Sequence, residues 1–334
     1  MKLKEKIKRI HPVYYISFFL PLIIMIAIFA VRGIFPFGDN VYLRSDMYHQ
    51  YCPFFSELWD KIRNGGSLFY SWEAGLGSNF TALYGYYLSS PLNWFIGFFP
   101  HNYIIELMNI IILIKLSLAS TAFTYYIDKR FNTQNITISI FGMFYALSGF
   151  TAAFSWNLMW FDCVLLLPLV LLGLERLVNE DKGILYTVTL GLTILSNYYI
   201  AIMVCISLVF YFLVLLITMP VPEKKSVYLQ KIGYFTLFSL LAGALSAAIL
   251  LPELYALGLT ASSDISFPKT LTQYFSAVTV LNRQLANTEV CIGLEHLPNV
   301  YCGVAVFLLY PLYIFNEKIS LREKIAKSIL LFVF

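Results

Sequence analysis

The chain has 334 residues, 59% of them hydrophobic and 13% charged, with a mean hydropathy of +0.72. A soluble domain carries about a quarter charged residues, so this composition excludes a water-soluble globular protein and makes the bilayer the solvent. The net charge of +4 is no sign of nucleic-acid binding, and its distribution reads as membrane orientation.

The N-terminus, MKLKEKIKRIHP, is basic and precedes an apolar run at 13–31. No small-residue cleavage site follows, so it reads as a first transmembrane helix with a cytoplasmic anchor. A long stretch poor in Lys and Arg comes next, 33–102. Within it, Pro53 suits the first turn of a helix. The residues Phe54, Leu58 and Ile62 recur every fourth position up to Arg63, and Asn64-Gly65-Gly66 stops the pattern. The expectation is a short amphipathic helix lying on the outer leaflet, against the plainer reading of a helix packed on the spans. Asp46 sits just before it, and if 46–51 is also helical, His49 and Gln50 share its face.

The segment ALYGYYLSSPLNWFIGFF, 82–99, is apolar enough to span, but Ser89-Ser90-Pro91 and Asn93 fall at its middle. The positive charges decide between the two topologies. If this segment does not cross, 16 of the 23 Lys and Arg lie on the cytoplasmic side and 6 outside, with Lys115 intramembrane. If it crosses, 7 lie inside and 15 outside. The positive-inside rule selects the first arrangement, with 82–99 interfacial or re-entrant.

Further apolar runs follow at 103–127, 136–154, 158–177, 184–199, 200–219, 232–251 and 301–315, with a last one beginning near 328. Basic turns alternate with polar ones, and a second long outer loop is expected at 253–300. The closing run is too short to span, so a longer protein is expected. The fold class is therefore an all-α polytopic membrane protein, read as one transmembrane domain over 1–334. The five cysteines show no metal-ligand spacing. Cys163 and Cys205 read as packing residues, and Cys291 with Cys302 as a weakly supported disulfide.

Four motifs occur in order: D-x-x-x-Q-Y-x-P-F (Asp46, Gln50, Tyr51, Pro53, Phe54), W-x-x-G-L-G-x-N (Trp72 to Asn79), Y-Y-x-x-S-P-x-N (Tyr86 to Asn93) and the later L-L-P (Leu250 to Pro252). Together they resemble the YfhO family of bacterial membrane proteins, over essentially the whole chain. The resemblance implies a GT-C-like transmembrane helix bundle whose large first extracytoplasmic loop carries juxtamembrane helices and a catalytic carboxylate. It implies a glycosyltransferase that moves a sugar from an undecaprenyl-phosphate carrier to a teichoic-acid-type acceptor outside the cell. A transporter or flippase of a lipid-linked envelope precursor is the alternative.

That chemistry needs a carboxylate within reach of the acceptor hydroxyl, and cations or amide donors for the leaving phosphate. Asp46 is the expected base, or the partner of a divalent metal ion in an equivalent role; no other cofactor is implied. Asp39, in a Gly-Asp-Asn turn, is the rival, and an N-terminal helix cap is the plain reading of Asp46. Arg44 suits the lipid phosphate, with Arg283 and Lys269 as weaker choices. His49, Gln50, Tyr51, Asn79, Asn93, Asn157, Asp162, Asn197 and Glu253 are expected to line the substrate sites or to be polar groups at helix ends. Lys115, deep in a span, is expected to face a polar cavity or to pair with another span. Trp156 and Trp160 read as interface-belt residues.

Overall fold

The computed structural model describes residues 10–260, 270, 273–285, 287–293, 295 and 297–333. The expected basic anchor before residue 10 and Lys269 lie outside them.

Helix α1, Pro12–Val31, opens at a proline whose missing N–H costs nothing there, and the His11 ring accepts from the Val13 amide. The chain then makes a tight turn, with the Asn40 side-chain amide donating to Arg32 O at 2.7 Å. A π-helical turn, Met47–Tyr51, leads without a break into α2, Cys52–Asn64. Proline explains the junction: Pro53 cannot donate, and the Cys52 amide bonds five residues back to Met47 O. Gly65 ends α2 in the left-handed conformation (φ 77°) that its lack of a Cβ permits.

Two-residue strands β1, Tyr70–Ser71, and β2, Ser78–Asn79, pair antiparallel. Asn79 then caps α3, Phe80–Tyr87, accepting from the Ala82 amide. A 3-10 segment, Pro91–Phe98, follows. The stretch 82–99 is therefore two short helical pieces broken at the Ser-Ser-Pro, neither long enough to cross a bilayer.

The bundle is built from α4 (Ile104–Phe131), α5 (Thr137–Ala146), α6 (Gly149–Phe154), α7 (Phe161–Glu180), α8 (Ile184–Ser196), α9 (Tyr198–Thr218) and α10 (Ser226–Leu245). At Ser246 the chain bends by 80° into α11, Ala247–Leu257. Helices α12 (Ala277–Asn282), α13 (Val304–Phe315) and α14 (Leu321–Val333) complete the described chain. Among the described residues five helical stretches are long and apolar enough to cross a membrane, or six if the bent pair counts as one. The expected run at 184–199 is a helix of only 13 residues, stopped by the extended backbone of Asn197.

Two cores hold the bundle. One joins Met47, Tyr51, Phe55 and Leu58 to Ile96, Met108, Ile112 and Phe161. The other joins Leu174, Tyr186, Leu208 and Phe212 across α7, α8 and α9. Helix α2 thus lays its apolar face on α4 and on the 3-10 segment, and Trp59 Nε1 donates to Phe99 O at 2.7 Å. This corrects the expectation of a helix resting on lipid: its large side chains find close-packed protein partners instead. The disulfide is corrected too, since Cys291 and Cys302 are both free.

Within the bundle, several polar groups bond from helix to helix. Ser17 Oγ of α1 meets Ser120 Oγ (3.0 Å) and Thr124 Oγ1 (2.6 Å) of α4. Glu175 accepts from Tyr126 (2.8 Å), Tyr211 (2.5 Å) and Arg130 Nε (3.1 Å). An apolar solvent supplies no competing partners, so such contacts fix which helices neighbour one another.

Candidate functional site

The π-helical turn sets Asp46 at its head. The Asp46 side chain makes no capping hydrogen bond, so the plain reading of it as a helix cap does not hold. Its neighbours are tyrosines. Gln50 Oε1, one turn on, accepts from Tyr87 at 3.3 Å. Tyr51 packs beside Tyr87 (ring centroids 5.6 Å) and stacks on Trp156 (6.1 Å, 12° between planes). Its hydroxyl donates to Asn157 Oδ1 at 2.6 Å. Burial pushes the Tyr51 hydroxyl far up from its ordinary pKa, and the Asp46 charge adds to the shift. Burial likewise raises Tyr86 and Tyr87, with both Asp46 and Glu253 contributing. Asp46 and Glu253, from distant parts of the chain, thus both bear electrostatically on one tyrosine pair.

Glu253 arrives by way of the 80° bend. It is 3% exposed, and its Oε1 has no hydrogen-bond partner. It packs against Gly85, where a Cβ would overlap the carboxylate. Glycine is needed in α3 for this approach. Opposite, Asn197 Nδ2 donates to Tyr86 O (2.9 Å) and its Oδ1 caps α9 at the Ile200 amide (2.9 Å). Tyr86 meets Tyr198 (5.7 Å) and Tyr199 (6.3 Å), and Trp160 stacks on Tyr199 (6.1 Å, 30°). Trp156 and Trp160, expected in the interface belt, are thus walls of an aromatic nest. Among the described residues Asn157 Nδ2 is buried there without a partner, and the Trp160 indole N–H faces Tyr86. Aromatic faces beside unpaired amide and carboxylate atoms suit a ligand with alternating C–H and O–H surfaces.

The other expected residues separate into groups. Arg44 is exposed, two residues before Asp46, and has no ion-pair partner among the described residues. Asp39 is exposed in its turn. His49 lines a neighbouring cavity. Asn79 caps α3. Asn93 is buried, donating to Leu88 O (3.2 Å) while its Oδ1 is unpartnered. Lys115 and Asp162 pair with each other: Nζ lies 2.5 Å from Oδ2 and 2.9 Å from Leu158 O, and Asp162 Oδ1 accepts from Ser90 (2.8 Å). Arg283 is spent on Pro298 O and Asn299 Oδ1, both at 2.9 Å. Sequence reasoning missed Tyr86, Tyr87, Tyr198 and Tyr199 as a group; the signal was the repeated Tyr-Tyr step, each near an asparagine.

Among the described residues no three His, Cys, Asp or Glu side chains are grouped to hold a metal ion.

A family model described as bacterial membrane protein YfhO matches residues 17–334. The chain belongs to the YfhO family. No match was found among curated proteins or solved structures. Family membership and the five or six membrane-long helices make it a multi-pass membrane protein.

Proposed function

We propose that this YfhO-family member is an inverting glycosyltransferase of the GT-C type, working at the extracytoplasmic face on a sugar carried by undecaprenyl phosphate. The acceptor is a hydroxyl of a teichoic-acid-type polymer. The observation that carries this reading is the setting of Asp46: a carboxylate with no capping bond at the head of the π-helical turn, one of two acids whose charges bear on the Tyr86–Tyr87 pair. The charge asymmetry of the loops supports placing that end outside.

In the proposed reaction the acceptor oxygen attacks the anomeric carbon as the bond from that carbon to the phosphate oxygen breaks. The phosphate leaves with the electron pair, and Asp46 takes the hydroxyl proton. Arg44, unpaired and close in sequence, is the cation proposed to meet the leaving phosphate. The nest of Tyr51, Trp156, Tyr86 and Trp160 holds the sugar, with Asn157 and Glu253 meeting its hydroxyls.

One observation favours the transporter reading: a helix broken by 80° that carries a buried acid, a feature of many transporter sites. A deletion strain separates the two. Complementation with the full-length protein restores sugar on the wall polymer if the enzyme reading holds, and the Asp46→Asn form does not. Unchanged polymer together with lipid-linked sugar accumulating on the inner leaflet would favour the transporter.

A further inference from the structure

A concave site lies beside the π-helical turn. A cavity of about 590 Å³ is walled by the turn and first residues of α2 on one side and by residues 101–105 on the other. Its polar lining is Tyr48, His49, Ser56, His101 and Asn102, with Cys52 in the wall. The volume falls within the range of small-molecule sites.

The lining is ordered. Ser56 Oγ and His101 Nε2 share a 2.6 Å hydrogen bond. Trp59 stands edge-on to His101 (5.1 Å, 78°), and its own N–H is tied to Phe99 O. Tyr48 stands edge-on to His49 (5.3 Å, 81°). Behind the wall, Glu106 Oε2 is buried without a partner. Its charge, after burial, raises the Cys52 thiol.

The chemistry of this set is selective. Imidazole, hydroxyl and amide groups each donate and accept, which matches ligand hydroxyls. Among the described residues no Lys or Arg lines the cavity, so an anion would find no charged partner there. The Tyr48 ring and the Ile104 and Ile105 side chains offer apolar faces to C–H groups. His49, in the cavity wall, follows Asp46 by three residues, and Asp46 stands at the head of the same turn.

We propose that this cavity is the acceptor subsite, and that it takes a sugar or polyol unit recognised through its hydroxyls rather than through phosphate. The assignment rests on the glycosyltransferase reading of Asp46.

The test uses purified full-length protein in detergent and saturation-transfer NMR with three probes: ribitol, maltotriose and inorganic phosphate. At least one uncharged probe binds. His101→Ala or Asn102→Ala weakens it about fivefold, the scale of one lost neutral hydrogen bond, while Asp46→Asn leaves it unchanged. Both substituted side chains are exposed, and unchanged thermal unfolding midpoints confirm an intact fold. Phosphate binding as well as the polyols, with the same sensitivity to His101, overturns the proposal in favour of an anion or headgroup site. Variants that bind every probe like the parent overturn it as well. Acceptor KM in the transfer assay separates the two readings. If Asp46→Asn abolishes transfer while the cavity variants keep the parent KM, the subsite alone falls. If Asp46→Asn transfers normally, the catalytic reading falls whatever the cavity binds.

Discussion

Lys115 and Asp162, 47 positions apart in the chain, meet as an ion pair at 2.5 Å with the lysine side chain wholly buried. The second carboxylate oxygen of Asp162 holds Ser90 of the broken segment at 2.8 Å. One buried pair therefore ties α4 to α7 and pins the Ser-Ser-Pro break against both. Removing one partner leaves an uncompensated charge. Lys115→Met is expected to destabilise the protein by about 3–5 kcal/mol, and Lys115→Met with Asp162→Leu to recover most of that loss. Unfolding in detergent, followed by loss of tryptophan fluorescence, measures both.

Gly85 has no room for a side chain because Glu253 occupies it. Gly85→Ala is expected to lower the unfolding midpoint and transfer activity by pushing α11 from α3. Adding Glu253→Ala removes the nearest atoms and leaves the Ile249 methyl, at 2.9 Å, as the remaining close contact. The double variant should unfold nearer the parent than Gly85→Ala does, a non-additive result in a four-member cycle. Simple additivity would mean that the two residues do not meet.

The Tyr51 hydroxyl is the side-chain partner of Asn157, whose other amide atom is already unpaired. Tyr51→Phe leaves that buried amide with neither atom bonded, at an expected cost of about 1–3 kcal/mol. The double change Tyr51→Phe with Asn157→Leu should cost less than Tyr51→Phe alone. Thermal unfolding of the three variants decides it.

The parts of this architecture written in local pattern were legible in the sequence. The four-residue recurrence of Phe54, Leu58 and Ile62, closed by Asn-Gly-Gly, specified a helix at 53–63, and the structure has it at 52–64. Pro91 and Asn93 marked the break in the apolar stretch that follows. What α2 packs on was not legible, because lipid and a protein groove select the same apolar face. The pairing of Lys115 with Asp162, and the meeting of Glu253 with Gly85, join residues far apart in the chain and follow from how the helices cross. Tyr86 and Tyr199 meet across α3 and α9 beside the extended Asn197, whose side chain donates to Tyr86 O, a contact between distant parts of the chain.

The orientation has its own test. In a cysteine-free background, Leu76→Cys places a thiol at a fully exposed position between β1 and β2, and Lys182→Cys places one in a basic turn. A membrane-impermeant maleimide applied to intact cells should label the first and not the second. The reverse pattern would put the Asp46 end in the cytoplasm and remove the exported-donor reading.

The most direct measurement is single-turnover transfer from a radiolabelled undecaprenyl-phosphate sugar by the purified full-length protein and its Asp46→Asn form. Loss of a general base lowers the chemical step by about 10²–10⁴-fold. The account predicts a loss of that size with donor binding unchanged. Transfer by Asp46→Asn at the parent rate would contradict it.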